Sequence, residues 1–190
     1  CSSGFASNAN YFSVEGRDKD GLQVKGSEVL VDIDNLIDYM LVIFYTGNFD
    51  APTSSFGNNK GCNNFYAIDD RTDKSTGFKF FAHDAEHSLF DEAHSPGVGI
   101  DEDRVNLGTR TDAMKMEVTA FSRFHPQWLH YKLSANAEYR IRFADRAYRA
   151  FKTGGVFSTE KSLARLNGRI DEIDLAVIAE SARWGDSKTV

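Results

Sequence analysis

Between Asp32 and Thr46 apolar residues recur at three- and four-residue spacing: Ile33, Leu36, Ile37, Met40, Leu41, Ile43 and Phe44. That period predicts a helix over Asp34–Thr46, with Asp32 or Asp34 as its N-cap and Gly47 turning the chain out at its end. A face this broad belongs to a buried helix, which is expected to hold the following loop rigidly. That loop, Asn48–Asn64, is rich in Asn, Ser and Gly, and loops of such length are often functional. The pattern then shifts to aromatic, strand-prone runs at Phe65–Ile68 and Phe78–Ala82. Turn formers fill Asp69–Gly77 between them, so a hairpin is expected.

The flanks are simpler. Residues 1–12 read as the end of a helical segment. Ser13–Gly26 is polar, with Asp18-Lys19-Asp20-Gly21 a turn between short strands. Asp91–Arg123 is weakly patterned, and His94-Ser95-Pro96-Gly97 with the acidic Asp101-Glu102-Asp103 predicts an irregular surface excursion. Pro126 suits the first position of a helix over Gln127–Ala135. A second helix follows over Ala137–Lys152 and ends at Gly154-Gly155. Ser158 or Thr159 caps a last one, through Leu163, Leu166, Ile170, Ile173, Val177, Ile178 and Ala182. There is no internal repeat. The expected fold class is α+β, a helical body beside a small sheet.

Composition narrows the function classes. The 190 residues fit one domain of ordinary globular make-up, 41% hydrophobic and 26% charged. Twenty-two basic against 28 acidic side chains leave a net charge of −6, so no overall basic field recruits nucleic acid or an anionic membrane. The longest apolar run, Tyr39–Tyr45, is far short of the roughly 20 residues a membrane span needs. Cys1 and Cys62 form no metal pattern, although they could pair in an oxidising compartment. The chain opens without Met, charged n-region or apolar signal segment, and runs from Cys1 into Tyr11-Phe12 without a linker. It is expected to be a piece cut inside a domain, in preference to the mature end of a lipoprotein.

Two acids stand where chemistry could use them. Asp50 follows the buried helix after Gly47-Asn48, with Pro52 stiffening the loop behind it. A base that accepts a hydroxyl proton needs such rigid placement. Asp84 ends the second aromatic strand, with Glu86 two residues on. Phosphoryl transfer needs a carboxylate on magnesium, because the metal neutralises charge on the transferring oxygens. Asn63 or Asn64 could add an amide oxygen. The bland alternatives are a turn residue at Asp50, a strand-end cap at Asp84 and loop asparagines that satisfy backbone. His94, His125 and His130 read as structural or solvated, and Arg140–Arg149 as a solvated helix face.

A competing pattern is His83-Asp84-Ala85-Glu86-His87, which fits the inverted zinc-protease motif with Glu86 as base. It requires a helix that places His83 and His87 one turn apart on the same face. The strand-like run before it and Pro96-Gly97 after it oppose that helix, so a strand-to-turn transition is expected over 83–87.

Four separated segments, taken in order, carry a family likeness: Asp32-Ile33-Asp34-Asn35-Leu36-Ile37-Asp38-Tyr39, Asn48-Phe49-Asp50, Asn63-Asn64-Phe65-Tyr66 and Phe78-Lys79-Phe80-Phe81-Ala82-His83-Asp84. Together they resemble the spore-coat protein H (CotH) kinase family. The match is dense over Val31–Glu86, and the segments around His125–Leu129 and Ile173–Trp184 look like large secreted bacterial members. The resemblance implies an atypical protein-kinase-like fold, here the mostly helical C-terminal lobe with a small hairpin carrying the metal site. The whole of 1–190 is then a partial kinase-like domain whose N-terminal nucleotide-binding lobe would lie upstream. It implies transfer of the ATP γ-phosphate to a protein Ser or Thr hydroxyl, with Mg2+ and ATP as cofactors, in a secreted or cell-surface protein. Residue by residue, Asp50 matches the catalytic-loop aspartate, Asn64 (or Asn63) the loop asparagine and Asp84 the magnesium-binding aspartate. His83 stands where the family has Trp, and Glu86 where it has a second Asp. The same fold without turnover, as a binding module for nucleotide or a partner, is the alternative, as is a carbohydrate-associated module using the 13% aromatic residues.

Overall fold

A computed structural model describes residues 4–54, 61–72, 75–90, 104–105 and 124–185. Its elements run α1 (Asn8–Ser13), α2 (Ile33–Thr46), β1 (Phe65–Ile68), β2 (Lys79–Ala82), α3 (Pro126–Leu133), α4 (Ala137–Phe151) and α5 (Thr159–Trp184). The mixed helix-and-sheet class expected from the sequence is therefore present. The chain divides into two compact units, Cys1–Arg146 and Ala147–Val190. Most of the expected excursion over 91–123 lies outside the described residues, as do Cys1, Lys74 and loop residues 55–60.

The first unit is built on α2. Asp32 caps it by accepting the Asn35 N–H at 3.0 Å, and Gly47 ends it in the left-handed conformation with φ 59°. Its Ile33, Leu36, Ile37, Met40, Leu41 and Ile43 are all buried, and the helix packs on β2 and α3. Removal of so much apolar surface from water is the main stabilising term in the unit. Leu129 and Leu133 of α3, Phe80 of β2, Tyr11 of α1 and Tyr139 of α4 complete the core.

β1 and β2 form a two-stranded antiparallel sheet in which Tyr66 faces Phe81 and Ala67 faces Phe80. A hairpin this small is marginal alone, so its anchoring to α2 matters. Asn35 supplies that anchor. Its side chain accepts the Phe80 N–H at 2.5 Å and donates to the Phe80 carbonyl at 3.3 Å. Phe78, expected inside the strand, instead bridges in parallel to Val31, donating to the Leu30 carbonyl and accepting from the Asp32 N–H. The close approach of 30–31 leaves no room at Gly77, where an added Cβ would sit 2.5 Å from the Val31 nitrogen, and its φ of 84° excludes most L-residues as well.

The Asp18–Gly21 turn forms around the Asp18 carboxylate, but the strands expected beside it amount to one bridge, Arg17 to Gln23. Asn136 caps α4 by accepting the Glu138 and Tyr139 N–H groups, and its amide donates to Asn8 and Ala6, fastening the N-terminal segment. The arginines of α4 are not merely solvated. Arg142 pairs with Glu15 and Asp34, and Arg146 with Asp34 and Asp38.

In the second unit, Ser158 caps α5 and Arg165 donates to the Val156 carbonyl. The Phe157 N–H closes onto the Ala150 carbonyl at 2.8 Å. No residue of α5 is buried. Among the described residues, no helix is long and apolar enough to cross a membrane.

Candidate functional site

The site begins where α2 stops. The buried Asn48 side chain accepts the Asp50 N–H at 2.9 Å, a local turn that fixes the backbone before the carboxylate is placed. The chain after β2 then returns to this corner. The Leu89 N–H donates to the Thr46 carbonyl at 2.7 Å, and the Phe49 N–H to the His87 carbonyl at 3.3 Å. Phe49 also packs against His87, with the rings tilted, and edge-on against Phe90. On the other side, the His83 N–H donates to the Asn64 carbonyl at 3.1 Å, holding the end of β2 beside the start of β1.

These ties bring Asp50, Asn64 and Asp84 together. Asn64 Nδ2 donates to Asp50 Oδ2 at 2.8 Å and to the Asp84 main-chain carbonyl at 3.3 Å. Both partners are acceptors, which fixes the amide orientation: the nitrogen points to Asp50 and Asp84, and Oδ1 points elsewhere. Asn64 and Asp84 have positive φ, 51° and 48°, a conformation Asn and Asp tolerate better than other residues. Asp50 is 7% exposed, and its buried Oδ1 has no hydrogen-bond partner among the described residues. A buried carboxylate oxygen left unpaired is uncommon and calls for a functional or structural reason. The Asp84 carboxylate is exposed and makes no ion pair or hydrogen bond among the described residues.

The other expected site residues are placed differently. Asn63 is held by its main chain, donating to the Pro52 carbonyl at 3.0 Å, and its side chain makes no hydrogen bond among the described residues. Glu86 lies 3.4 Å from His87 Nε2 and is largely exposed. Residues 83–87 are irregular, with Asp84 left-handed, and the helical face required by the zinc pattern is not formed. His83 packs edge-on against Tyr66. Cys62 is a free thiol whose Sγ donates to the Phe124 carbonyl.

Two further residues belong to this corner. Arg104 is 4% exposed and donates to the Ala51 carbonyl at 3.3 Å. Burial pulls its pKa down to about 10, against the opposing pull of Tyr39 and Asp50. Tyr39 of α2 is buried with its hydroxyl unpaired, and burial raises its pKa, with Arg104 opposing. Asp50 thus has a buried cation for company as well as an amide. Neither residue is given a site role by the sequence: Tyr39 appears only as part of the apolar helix and its family-like segment, and Arg104 lies in an unpatterned stretch.

Among the described residues no three His, Cys, Asp or Glu side chains gather as a metal-holding group. Asn64 Oδ1 and the exposed Asp84 carboxylate are hard oxygens of the type Mg2+ takes, alongside water and phosphate. The chain matches no family model, no curated protein and no solved structure.

Proposed function

We propose that Asp50, Asn64 and Asp84 form the base-and-metal half of a protein phosphotransferase with a kinase-like C-terminal lobe. The reaction moves the ATP γ-phosphate to a Ser or Thr hydroxyl of a protein substrate. One observation carries this reading: Asp50 has one oxygen clamped by Asn64 and the other unpaired. A general base needs that division, with one oxygen for orientation and one to receive a proton.

In this scheme Asp50 Oδ1 accepts the proton of the attacking hydroxyl as its oxygen bonds to the γ-phosphorus and ADP departs. Asn64 holds Asp50 through Nδ2 and, with its outward Oδ1 and the Asp84 carboxylate, forms the hard-oxygen set that fits Mg2+. When bound there, the ion would offset negative charge on the phosphate oxygens. Asn48 and Arg104 keep the Asp50 loop in place. Placement on the cell surface or outside it rests on the family likeness alone.

The test is label transfer from γ-labelled ATP to a protein acceptor, using a polypeptide that carries these residues with an upstream phosphate-binding half. Asp50→Asn and Asp84→Asn should each lower the rate by about 100-fold or more, since a general base alone contributes about 10²–10⁴-fold. Nucleotide binding without transfer in the wild type would favour the inactive binding module instead.

A further inference from the structure

The first unit also contains a cavity of about 860 Å³, to which Asp50, Asn64 and Asp84 do not contribute. Phe78 and Phe80 wall it from the hairpin side, Trp128 and Lys132 from α3, and Val14 and Leu30 from the N-terminal segments. A volume of this order falls in the roughly 300–1,000 Å³ range of small-molecule sites, which are mostly apolar with a few polar groups that fix orientation.

Three side chains of the lining carry polar atoms: Ser13, Lys132 and Trp128, whose indole Nε1 is buried. Ser13 is already committed, its hydroxyl donating to the Asn10 carbonyl at 2.9 Å. Lys132 is half-buried, with its ammonium 5.8 Å from the Trp128 ring centroid and 5.5 Å from that of Tyr131. It makes no ion pair or side-chain hydrogen bond among the described residues. A half-buried ammonium held over two rings, with no carboxylate partner among the described residues, still has room to pair with an anionic head.

We propose that this cavity binds a single-tailed amphiphile with an anionic head, of the fatty-carboxylate class. The head pairs with Lys132 and the tail lies among Phe78, Phe80 and Trp128. Sugars and nucleotides need several side-chain donors and acceptors. Besides the committed Ser13, the lining offers only the Lys132 ammonium and the Trp128 indole N–H, with no side-chain acceptor. An extended peptide would bring a row of backbone donors and acceptors to walls that are mostly apolar. The inference is independent of the phosphotransferase reading, and neither test decides the other.

The experiment uses the 190-residue chain with Trp184→Phe, so that emission reports Trp128 alone. Decanoate and decyltrimethylammonium, equal in tail and opposite in head charge, are titrated below their micelle concentrations. Decanoate should give a saturable change with an affinity at least tenfold above that of the cation. Shortening the tail to octanoate should weaken binding by up to about fourfold for each methylene lost. Lys132→Gln should erase the head preference while leaving the circular dichroism and melting temperature unchanged. Ala135→Phe, at an exposed position of the lining, should weaken decanoate by obstruction. Equal binding of both heads would mark an apolar packing face for protein and overturn the proposal. So would a head preference that survives Lys132→Gln, or no saturable response to decanoate.

Discussion

Asn64 Nδ2 lies 2.8 Å from Asp50 Oδ2, and this one bond couples the loop after α2 to the start of the hairpin. Removing it leaves a buried carboxylate oxygen without a donor. Asn64→Gly keeps the backbone free to hold φ 51° and deletes only the side chain. The expected cost is about 1–3 kcal/mol of stability, the usual penalty for an orphaned buried polar atom. Asn64→Asp should cost more, because it sets a second carboxylate against Asp50. Urea midpoints check both, and wild-type midpoints in the two variants would show that the bond is idle.

Asn35 should matter as much for the hairpin as for α2. Its two hydrogen bonds to Phe80 span 45 positions in sequence and fasten β2 to the buried helix. Asn35→Ala is expected to destabilise the protein by about 2 kcal/mol, roughly 1 kcal/mol for each net hydrogen bond. Amide exchange at Phe80 should rise with it. Asn35→Asp keeps the acceptor and loses the donor, so an intermediate loss is expected.

His130 gives the unit an acid-sensitive core. Burial lowers its pKa from 6.5 to about 4, and its Nδ1 shares a 2.7 Å hydrogen bond with the Tyr139 hydroxyl. The folded state therefore binds the proton less readily than the unfolded chain. The neutral imidazole's contribution is fully present above pH 6.5 and is lost as the pH falls towards 4. At about 1.4 kcal/mol per pKa unit, the loss approaches about 3 kcal/mol. Unfolding curves of wild type and His130→Gln, compared from pH 7 to pH 4, should converge on the acid side.

The parts of this fold that local pattern dictates were legible in the sequence. α2 follows from its apolar period, with Asp32 and Gly47 as caps, and both strands from their aromatic runs. Contacts between distant segments were not legible. Phe78 looks like a strand residue, yet its partner is Val31 on a separate stretch, which local propensity does not encode. Arg142 and Arg146 look like a solvated face until α4 meets Asp34 and Asp38. At the site, Asp50, Asn64 and Asp84 stood out as polar residues at the ends of apolar elements. Their link through one amide, and the company of Tyr39 and Arg104, depend on tertiary packing.

The central claim is that Asn64 and Asp84 offer oxygens to one divalent cation beside Asp50. Mn2+ stands in for Mg2+ and broadens nuclear resonances near its binding point, so a titration followed by amide NMR locates the site directly. The account predicts that Asn64, Phe65, Asp84 and Ala85 broaden first. It also predicts that Asp84→Asn abolishes this broadening with stability changed by no more than about 0.5 kcal/mol, as for an exposed unpaired side chain. Broadening centred on Glu86 and His87, or left intact in Asp84→Asn, would contradict it.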